Sequence, residues 1–254
     1  MPVSTQSPKT VRCFALIPAA GVGQRMNTDV PKQYLSVAGK PVLQHVMDVF
    51  CASPEIAHVY VVLGLRDTWM DALILSGEMR FPSDRLTLLR CGGKTRRDSV
   101  LNGLSAISGK VSLEDWILVH DAARPGLTSH LLKRLVDAVG NDQVGGMLAL
   151  PVADTVKRKN GHRVDTVPRD NLWLAQTPQM FRYALLSRAL REHPDVTDES
   201  AAIESMGFSP VLVEGHLCNS KITRPEDMAL LEMFIHPKEK DAKHKACSCI
   251  KELT

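Results

Sequence analysis

The sequence predicts an α/β fold with a mainly parallel, twisted, Rossmann-like sheet, helices on both faces and one projecting β-arm. Two observations support this prediction. Short apolar runs of strand length alternate with stretches whose apolar residues have helical spacing, and this alternation is typical of parallel sheets with helical connections. One segment interrupts the alternation, since it carries a hairpin turn signal but few apolar residues, and it predicts the arm.

Six short apolar runs predict the strands of the sheet, and most are rich in Val, Leu and Ile, as expected for buried strands. They span residues 11–18, 58–63, 86–91, 116–120, 145–151 and 210–214. Six stretches with helical spacing predict helices over residues 42–51, 99–107, 129–139, 183–193, 198–206 and 225–234. Because ligands bind beyond the carboxyl ends of strands in such sheets, we expect the chemistry to lie directly after strands.

The segment 152–173 predicts the projecting arm. Its Asn160-Gly161 step lies between two stretches of β-branched and charged residues, which is a strong hairpin signal. The apolar content is too low for a hairpin of the core. We therefore expect the arm to bury against a symmetry mate and to make the protein a homodimer.

Length and composition predict one soluble domain over residues 11–236. The chain has 254 residues, of which 44% are hydrophobic and 23% are charged, and this suffices for a sizeable core. No apolar run reaches the roughly 18 residues of a membrane span, so we expect no membrane partner. Residues 1–10 and 237–254 are polar and are expected to be disordered.

Charge and cysteine usage exclude further classes of protein. The net charge is +3, and five Lys against three acidic residues within 236–254 account for +2 of it. The nearly neutral body argues against nucleic acid as a partner. Six scattered cysteines without a C-x-x-C pair, and an N-terminus without an apolar signal region, predict reduced thiols in a cytoplasmic protein.

A glycine-rich loop after the first predicted strand suits a phosphate. It reads PAAGVGQRM over residues 18–26, and glycines let backbone N–H groups approach a phosphate; a plain tight turn is the alternative. Met26 breaks the Rossmann fingerprint, no acid ends the second strand, and the Walker pattern is absent. Arg25 and Lys32 can brace a triphosphate, although exposed cations are often merely solvated.

Three further strand ends carry candidate residues. Asp121 opens the sequence DAARP after the fourth strand, where it is placed either to hold Mg²⁺ or to cap a helix. A second glycine loop over residues 92–99 can offer backbone groups to a base edge, although Asp98 or Ser99 can equally cap the next helix. Lys221 follows the last strand, and the histidine before Asp121 is interpreted as a packed core residue.

Several motifs in this order resemble one family. They read PAAGVGQRM with PKQYL, GGKTRRDSV, VHDAARP, AQTPQMF, TDES, and VEG with NSKITRPED. Together they are similar to the 2-C-methyl-D-erythritol 4-phosphate cytidylyltransferases over residues 11–235. The resemblance implies a nucleotidyltransferase-type fold and the transfer of CMP from CTP to 2-C-methyl-D-erythritol 4-phosphate, with release of pyrophosphate, in non-mevalonate isoprenoid precursor synthesis. It also implies Mg²⁺ or another divalent cation as cofactor, and a homodimer whose arm crosses to the partner subunit.

The resemblance also implies roles for individual residues. Arg25 and Lys32 match the basic pair that stabilises the transition state, and Asp121 matches the acid that binds magnesium and substrate. The residues that match nucleotide-binding positions are Ala19, Ala20, Gly21, Gly23, Gly93 and Ser99. Those that match acceptor-binding positions are Asp121, Thr155, Arg169, Thr177 and Lys221. Arg169 and Lys221 are also expected to contribute to catalysis.

One departure from the family pattern and three alternative functions stay open. Cys218-Asn219 stands where the family usually has Asp-Asn, so the second metal ligand is undetermined. The nearest alternative is cytidylyl transfer to a pentitol phosphate such as ribitol 5-phosphate. A dinucleotide-binding oxidoreductase is disfavoured by the broken fingerprint. A non-catalytic nucleotide sensor is disfavoured because the charged residues expected for catalysis are all present, namely Arg25, Lys32, Asp121 and Lys221.

Overall fold

The computed structural model describes residues 11–21, 30–81 and 84–235. The strands of these residues are β1 (Cys13–Pro18), β2 (Ser36–Val37), β3 (Lys40–Pro41), β4 (Ile56–Leu63), β5 (Leu86–Arg90), β6 (Trp116–Val119), β7 (Gly145–Pro151), β8 (Val156–Asn160), β9 (Arg163–Val167), β10 (Trp173–Arg182) and β11 (Val211–Glu214). The helices are α1 (Val42–Ala52), α2 (Thr68–Leu75), α3 (Arg96–Ala106), α4 (Ser129–Val139), α5 (Tyr183–Glu192), α6 (Glu199–Ser205) and α7 (Glu226–Ile235). The predicted disordered segments 1–10 and 237–254 lie outside the described residues, so their disorder stays a prediction.

The central sheet has seven strands in the order β11-β7-β10-β6-β1-β4-β5. All six predicted strands lie in it and run in the same direction, whereas β10 is antiparallel to both of its neighbours. The predicted mainly parallel sheet is therefore confirmed. The carboxyl ends of the six parallel strands meet at one edge, where a ligand crevice is expected.

Helices cover both faces of the sheet, as predicted. On one face Ile17 and Val61 join the apolar residues of α1 and α4 in one core cluster. On the other face Leu16 and Val62 join those of α3, α5 and α6 in a second cluster. Successive strand residues point to opposite faces, so nearly continuous apolar runs supply both clusters.

The sequence analysis missed the short strands β2 and β3, strand β10 and helix α2, and it placed the start of α3 too late. Strand β10 was not predicted because the polar residues and the proline between Ala175 and Gln179 break the apolar pattern; the pairing with β7 is irregular over the same stretch. Helix α2 was also missed, and Met70 is its one buried residue. Helix α3 starts three residues before the predicted start, because Thr95 and Asp98 form a reciprocal capping box.

The predicted arm is present as a hairpin of β8 and β9, and its side chains are largely exposed. The turn lies one residue later than expected, because Asn160 pairs with Arg163 and the two turn residues are Gly161 and His162. Gly161 has a φ of 62°, a conformation that glycine adopts readily and that two-residue hairpin turns require. Among the described residues, no helix is long and apolar enough to cross a membrane.

The close approach of α3 to the sheet gives a stability prediction. A Cβ at Gly103 would lie 2.7 Å from Val62 Cγ2 and 2.9 Å from a Leu16 methyl group, both in the core. Overpacking lowers the free energy of unfolding by about 1–3 kcal/mol. The higher helix propensity of alanine offsets up to about 1 kcal/mol of this loss. We expect Gly103→Ala to lower the melting temperature by a few degrees in thermal unfolding.

Gly109→Ala is the matched control, because a Cβ there would meet no atom within 4 Å. It should leave the melting temperature nearly unchanged. If Gly103→Ala melted at or above the wild-type temperature, the close packing of α3 on β1 and β4 would be wrong.

Candidate active site

A cavity of about 500 Å³ opens at the carboxyl edge of the sheet. Its walls come from the segments that follow β1, β5 and β6 and from the segment of Lys221 after β11. The candidate residues that line it are Ala19, Ala20, Gly21, Lys32, Gly93, Ser99, Asp121 and Lys221. The structure thus brings together most of the site residues predicted from the body of the sequence.

The first glycine loop is held by the side chain of Gln33, which follows it in the sequence. The amide Nε2 of buried Gln33 donates to the backbone oxygen of Ala19 at 2.8 Å and to that of Gly21 at 2.9 Å. Gly23 and Arg25 lie outside the described residues, so their placement stays a prediction. Lys32, beside Gln33, lines the cavity and donates to the backbone oxygen of Ile222 at 3.0 Å.

The second glycine loop packs tightly against the first loop and against α3. A Cβ at Gly92 would lie 2.3 Å from Ala20 Cβ, and one at Gly93 would lie 2.3 Å from Asp98 Cβ. Gly93 N–H donates to Ser99 Oγ, whose hydroxyl donates to the backbone oxygen of Thr95, each at 3.0 Å. The N-cap residue of α3 is Thr95, and Asp98 completes the capping box by accepting from the Thr95 N–H at 3.2 Å, whereas Ser99 does not cap the helix. Because Gly92 and Gly93 have no side chains, the first and second glycine loops can meet at one wall of the cavity.

Asp121 is the acidic centre of the site. Its Oδ1 accepts from Arg96 Nε at 2.8 Å, its Oδ2 lies 2.7 Å from Lys221 Nζ, and Arg124 Nε is 3.5 Å from the same Oδ2. Burial would raise the pKa of Asp121, but these three cations together hold it well below its usual range. Asp121 is therefore an anion that faces the cavity.

The charge of the cavity wall is strongly positive. Among the described residues, four cationic side chains line the cavity against the single carboxylate of Asp121. The four are Lys32, Lys94, Arg96 and Lys221. Such an excess of positive charge suits a polyanionic ligand such as a triphosphate.

Thr177 is held beside Asp121 by a buried relay of hydrogen bonds. Its Oγ1 accepts from the Asp121 N–H at 3.1 Å and lies 3.0 Å from His120 Nδ1. His120 Nε2 lies 3.1 Å from the backbone oxygen of Arg124; that oxygen can only accept, so Nε2 carries the hydrogen and Thr177 donates to Nδ1. Burial lowers the pKa of His120 to about 4. His120 is thus packed in the core, as interpreted, but it also orients Thr177.

Cys218 and Asn219, where the sequence departs from the family pattern, both lie away from the described cavity wall. Cys218 lines a different cavity of about 320 Å³. Asn219 is fully buried, and its Nδ2 donates to the backbone oxygen of Thr177 at 2.7 Å. Asn219 therefore ties the Lys221 segment to β10. Neither residue lines the cavity that Asp121 lines.

The donor set fits a magnesium ion that is held mainly by its substrate. Mg²⁺ is commonly bound by one or two carboxylates together with substrate phosphates and water. No group of three or more metal-binding side chains exists among the described residues, and Asp121 is the carboxylate that faces the cavity. Asp121 together with phosphate oxygens would satisfy that pattern. The described residues do not provide a magnesium site made of protein side chains alone.

Thr155 and Arg169 are exposed on the arm and do not line the cavity of their own chain. Sequence reasoning missed other residues at the site, among them Gln33, Lys94, Arg96 and Arg124. Each lies inside a motif that the sequence analysis had singled out, namely PKQYL, GGKTRRDSV and VHDAARP. The partners of Gln33 and Arg96 are distant in sequence or are backbone atoms, which a motif does not reveal, whereas Arg124 lies three residues from its partner Asp121.

Comparisons with known proteins agree with this geometry. The family model for 2-C-methyl-D-erythritol 4-phosphate cytidylyltransferase matches residues 13–237. A protein of that name from Azoarcus sp. (strain BH72) is 51% identical over 227 residues, which cover 89% of this chain and 94% of that protein. Another of that name from Laribacter hongkongensis (strain HLHK9) is 51% identical and covers 86% of this chain and 94% of that protein.

Solved structures give the same result. A crystal structure of a 4-diphosphocytidyl-2C-methyl-D-erythritol synthase superposes with a TM-score of 0.77 at 39% identity, covering 89% of this chain and 99% of that one. The Francisella tularensis 2-C-methyl-D-erythritol 4-phosphate cytidylyltransferase superposes with a TM-score of 0.73 at 31% identity, covering 88% of this chain and 99% of that one. With the charged cavity at the expected strand ends, these matches show that the chain belongs to the 2-C-methyl-D-erythritol 4-phosphate cytidylyltransferase family.

Proposed function

We propose that this protein transfers the cytidylyl group of CTP to 2-C-methyl-D-erythritol 4-phosphate and releases pyrophosphate, in isoprenoid precursor synthesis. The observation that supports this most is the cluster of Asp121, Arg96 and Lys221 in a cavity bounded by two glycine loops. Membership of the family supplies the substrates. The alternative acceptor, ribitol 5-phosphate, is not favoured by the relatives, which carry the methylerythritol name.

The reaction needs charge stabilisation more than proton transfer. An oxygen of the acceptor phosphate attacks the α-phosphorus of CTP, and the bond from that phosphorus to the bridging oxygen of the β-phosphate breaks. The nucleophile is already an anion, so no general base is required. The main barrier is the repulsion between two polyanions, which positioned cations lower.

The residues of this chain divide that task. The two glycine loops hold the nucleotide, with Gly93 and Ser99 on the cytosine and ribose side. Lys32 and Arg25 stabilise the triphosphate as pyrophosphate leaves, while Lys221 holds the acceptor phosphate. Thr177, which was predicted to bind the acceptor, does not line the cavity and donates its hydroxyl hydrogen to His120, so its contribution is to hold the backbone of Asp121. Mg²⁺, held by Asp121 and phosphate oxygens, would neutralise further charge on the triphosphate.

The arm supplies the rest of the acceptor site from a second copy of the chain. Thr155 and Arg169 are exposed and lie away from the described cavity wall of their own subunit. The base of the arm also exposes the apolar side chains of Leu172, Trp173 and Leu174. An exposed apolar patch of this kind suits a two-fold interface, and we propose a homodimer on this ground. A cytoplasmic location and the absence of a nucleic-acid partner stay predictions.

Nucleotide choice and metal dependence give the first test of the proposed function. We expect CTP to support pyrophosphate release with methylerythritol phosphate, whereas ATP and GTP should be poor substrates, because the Gly93 loop in the cavity wall is placed to offer backbone groups to a pyrimidine edge. EDTA should abolish turnover, and excess Mg²⁺ should restore it. Equal rates with all four nucleotides would contradict selection of the base by this loop.

Lys32→Ala should lower kcat by about 10²–10³, the usual scale for one charge stabiliser, and should affect KM less. The reason is that its charge matters most as pyrophosphate leaves. Lys40→Ala is the control, since Lys40 is an exposed lysine paired with Asp48, and it should retain wild-type kinetics. A wild-type kcat in Lys32→Ala would show that this lysine does not act in the transition state.

Mixing two inactive variants tests the crossed arm. In a mixed dimer of Lys32→Ala and Arg169→Ala, one site collects both defects, and the other combines an intact body with an intact arm. Random pairing makes about half of the dimers mixed, so exchange of subunits should restore about a quarter of wild-type activity if the sites are independent. Exchange without any recovery would show that Arg169 serves its own chain.

A further inference from the structure

Glu199 is a buried carboxylate that the reaction described above does not use. Its side chain is fully buried at the start of α6. Both of its oxygens accept from Arg96, with Nη1 at 2.7 Å and Nη2 at 2.9 Å. Burying a charged pair is costly even when the pair is well formed, and such a pair is weak evidence for stability. The position of this pair next to the site therefore calls for a role other than stability.

The segment that carries Glu199 is fixed to the central sheet. Gln179 on β10 donates from Nε2 to Asp198 at 2.8 Å and accepts from the Ser200 N–H at 2.7 Å. Glu199 lies between these two anchored residues. Its carboxylate is thus held by the same strand that carries Thr177.

Arg96 connects this buried carboxylate to Asp121. Its guanidinium uses Nη1 and Nη2 on Glu199 and Nε on Asp121 Oδ1 at 2.8 Å. Because the guanidinium is planar, holding one side fixes the direction of the other. Burial alone would lower the pKa of Arg96, but Glu199 and Asp121 raise it above its ordinary value, so Arg96 stays charged throughout.

The orientation of Asp121 depends on this connection. With Oδ1 bound to Arg96, Oδ2 is left for Lys221 at 2.7 Å. A competing cation lies close by, since Arg124 Nε is buried, has no hydrogen-bond partner among the described residues, and lies 3.5 Å from Oδ2. Without a fixed Arg96, the carboxylate could rotate to other cations and leave Lys221.

We propose that Glu199 and Arg96 are a pair of positioning residues that orient Asp121 so that its Oδ2 stays directed at Lys221. The inference deepens the proposed function, on which it rests. If a substitution removes the charge of Glu199, Asp121 becomes the single carboxylate partner of Arg96. Arg96 then attracts both oxygens of Asp121, and Lys221 loses the anion that holds it. We expect kcat to fall, because Lys221 is then misplaced relative to the acceptor phosphate.

The test uses three variants: Glu199→Gln, Arg96→Met and the double variant. Pyrophosphate release gives kcat and the KM of each substrate, and thermal unfolding gives the melting temperature. Glu199→Gln keeps the shape of the side chain and removes its charge. Arg96→Met leaves Glu199 buried without a partner, so it is expected to fold poorly, whereas the double variant removes both charges and should regain most of the lost stability.

We expect Glu199→Gln to lower kcat at least about tenfold while the KM for CTP changes less than threefold. The double variant should melt within a few degrees of wild type and still have a kcat at least about tenfold lower, and its loss should be smaller than the product of the two single losses. All rates are measured well below the lowest melting temperature. A role in stability alone would not produce a kcat loss in a variant that melts like wild type.

Asp115→Asn is the matched control. Asp115 is also a nearly fully buried carboxylate paired with an arginine, Arg12, but it lies just before β6, at the opposite end of the sheet from the cavity. This variant should lower the melting temperature and leave kcat unchanged. Wild-type kcat in Glu199→Gln, or in a folded double variant, would overturn the positioning role. Failure of the wild-type protein itself to transfer CMP would instead overturn the proposed function.

Discussion

The charge balance around Asp121 is the constraint on which the rest of the site depends. One nearly buried carboxylate is surrounded by Arg96, Arg124 and Lys221, so it is an anion in a place where an unpaired charge would be costly. Glu199 is a second carboxylate partner of Arg96, so one of these three positive charges has no matching carboxylate. Lys32 and Lys94 add two more positive charges at the cavity wall, and this excess favours the binding of a polyanionic substrate.

The sheet explains how residues so distant in sequence meet. Parallel strands bring the segments after β1, β5 and β6 to one edge, and each of these segments carries a part of the cavity wall. The antiparallel strand β10 has a different role. It lies between β6 and β7 and places Thr177 against the backbone of Asp121 and Gln179 against the start of α6. One strand thus orients both the acceptor side of the site and the carboxylate behind Arg96.

The parts of the fold that the sequence predicted well are those governed by burial of apolar side chains. The six parallel strands are continuous apolar runs, and helices such as α1 and α4 have clear apolar faces, so their patterns are unambiguous. Strand β10 was missed because three of its buried residues, Gln176, Thr177 and Gln179, are polar. Their partners are distant in sequence, such as Asp198 for Gln179. Likewise, the Arg96 pair with Glu199 spans 103 positions, a distance at which no local pattern gives a signal. The glycine loops, Lys32, Asp121 and Lys221 were found because they follow strands.

The neutral His120 determines where the pH sensitivity of this site can arise. Its pKa of about 4 means that the imidazole keeps one protonation state across the neutral range, and the Thr177 hydroxyl keeps one donor direction with it. Asp121 is likewise ionised throughout this range. The acceptor itself titrates close to neutrality, because a phosphate monoester loses its second proton at a pKa of about 6. In slightly acidic solution, the charge of the nucleophile therefore changes while the charges of His120 and Asp121 do not.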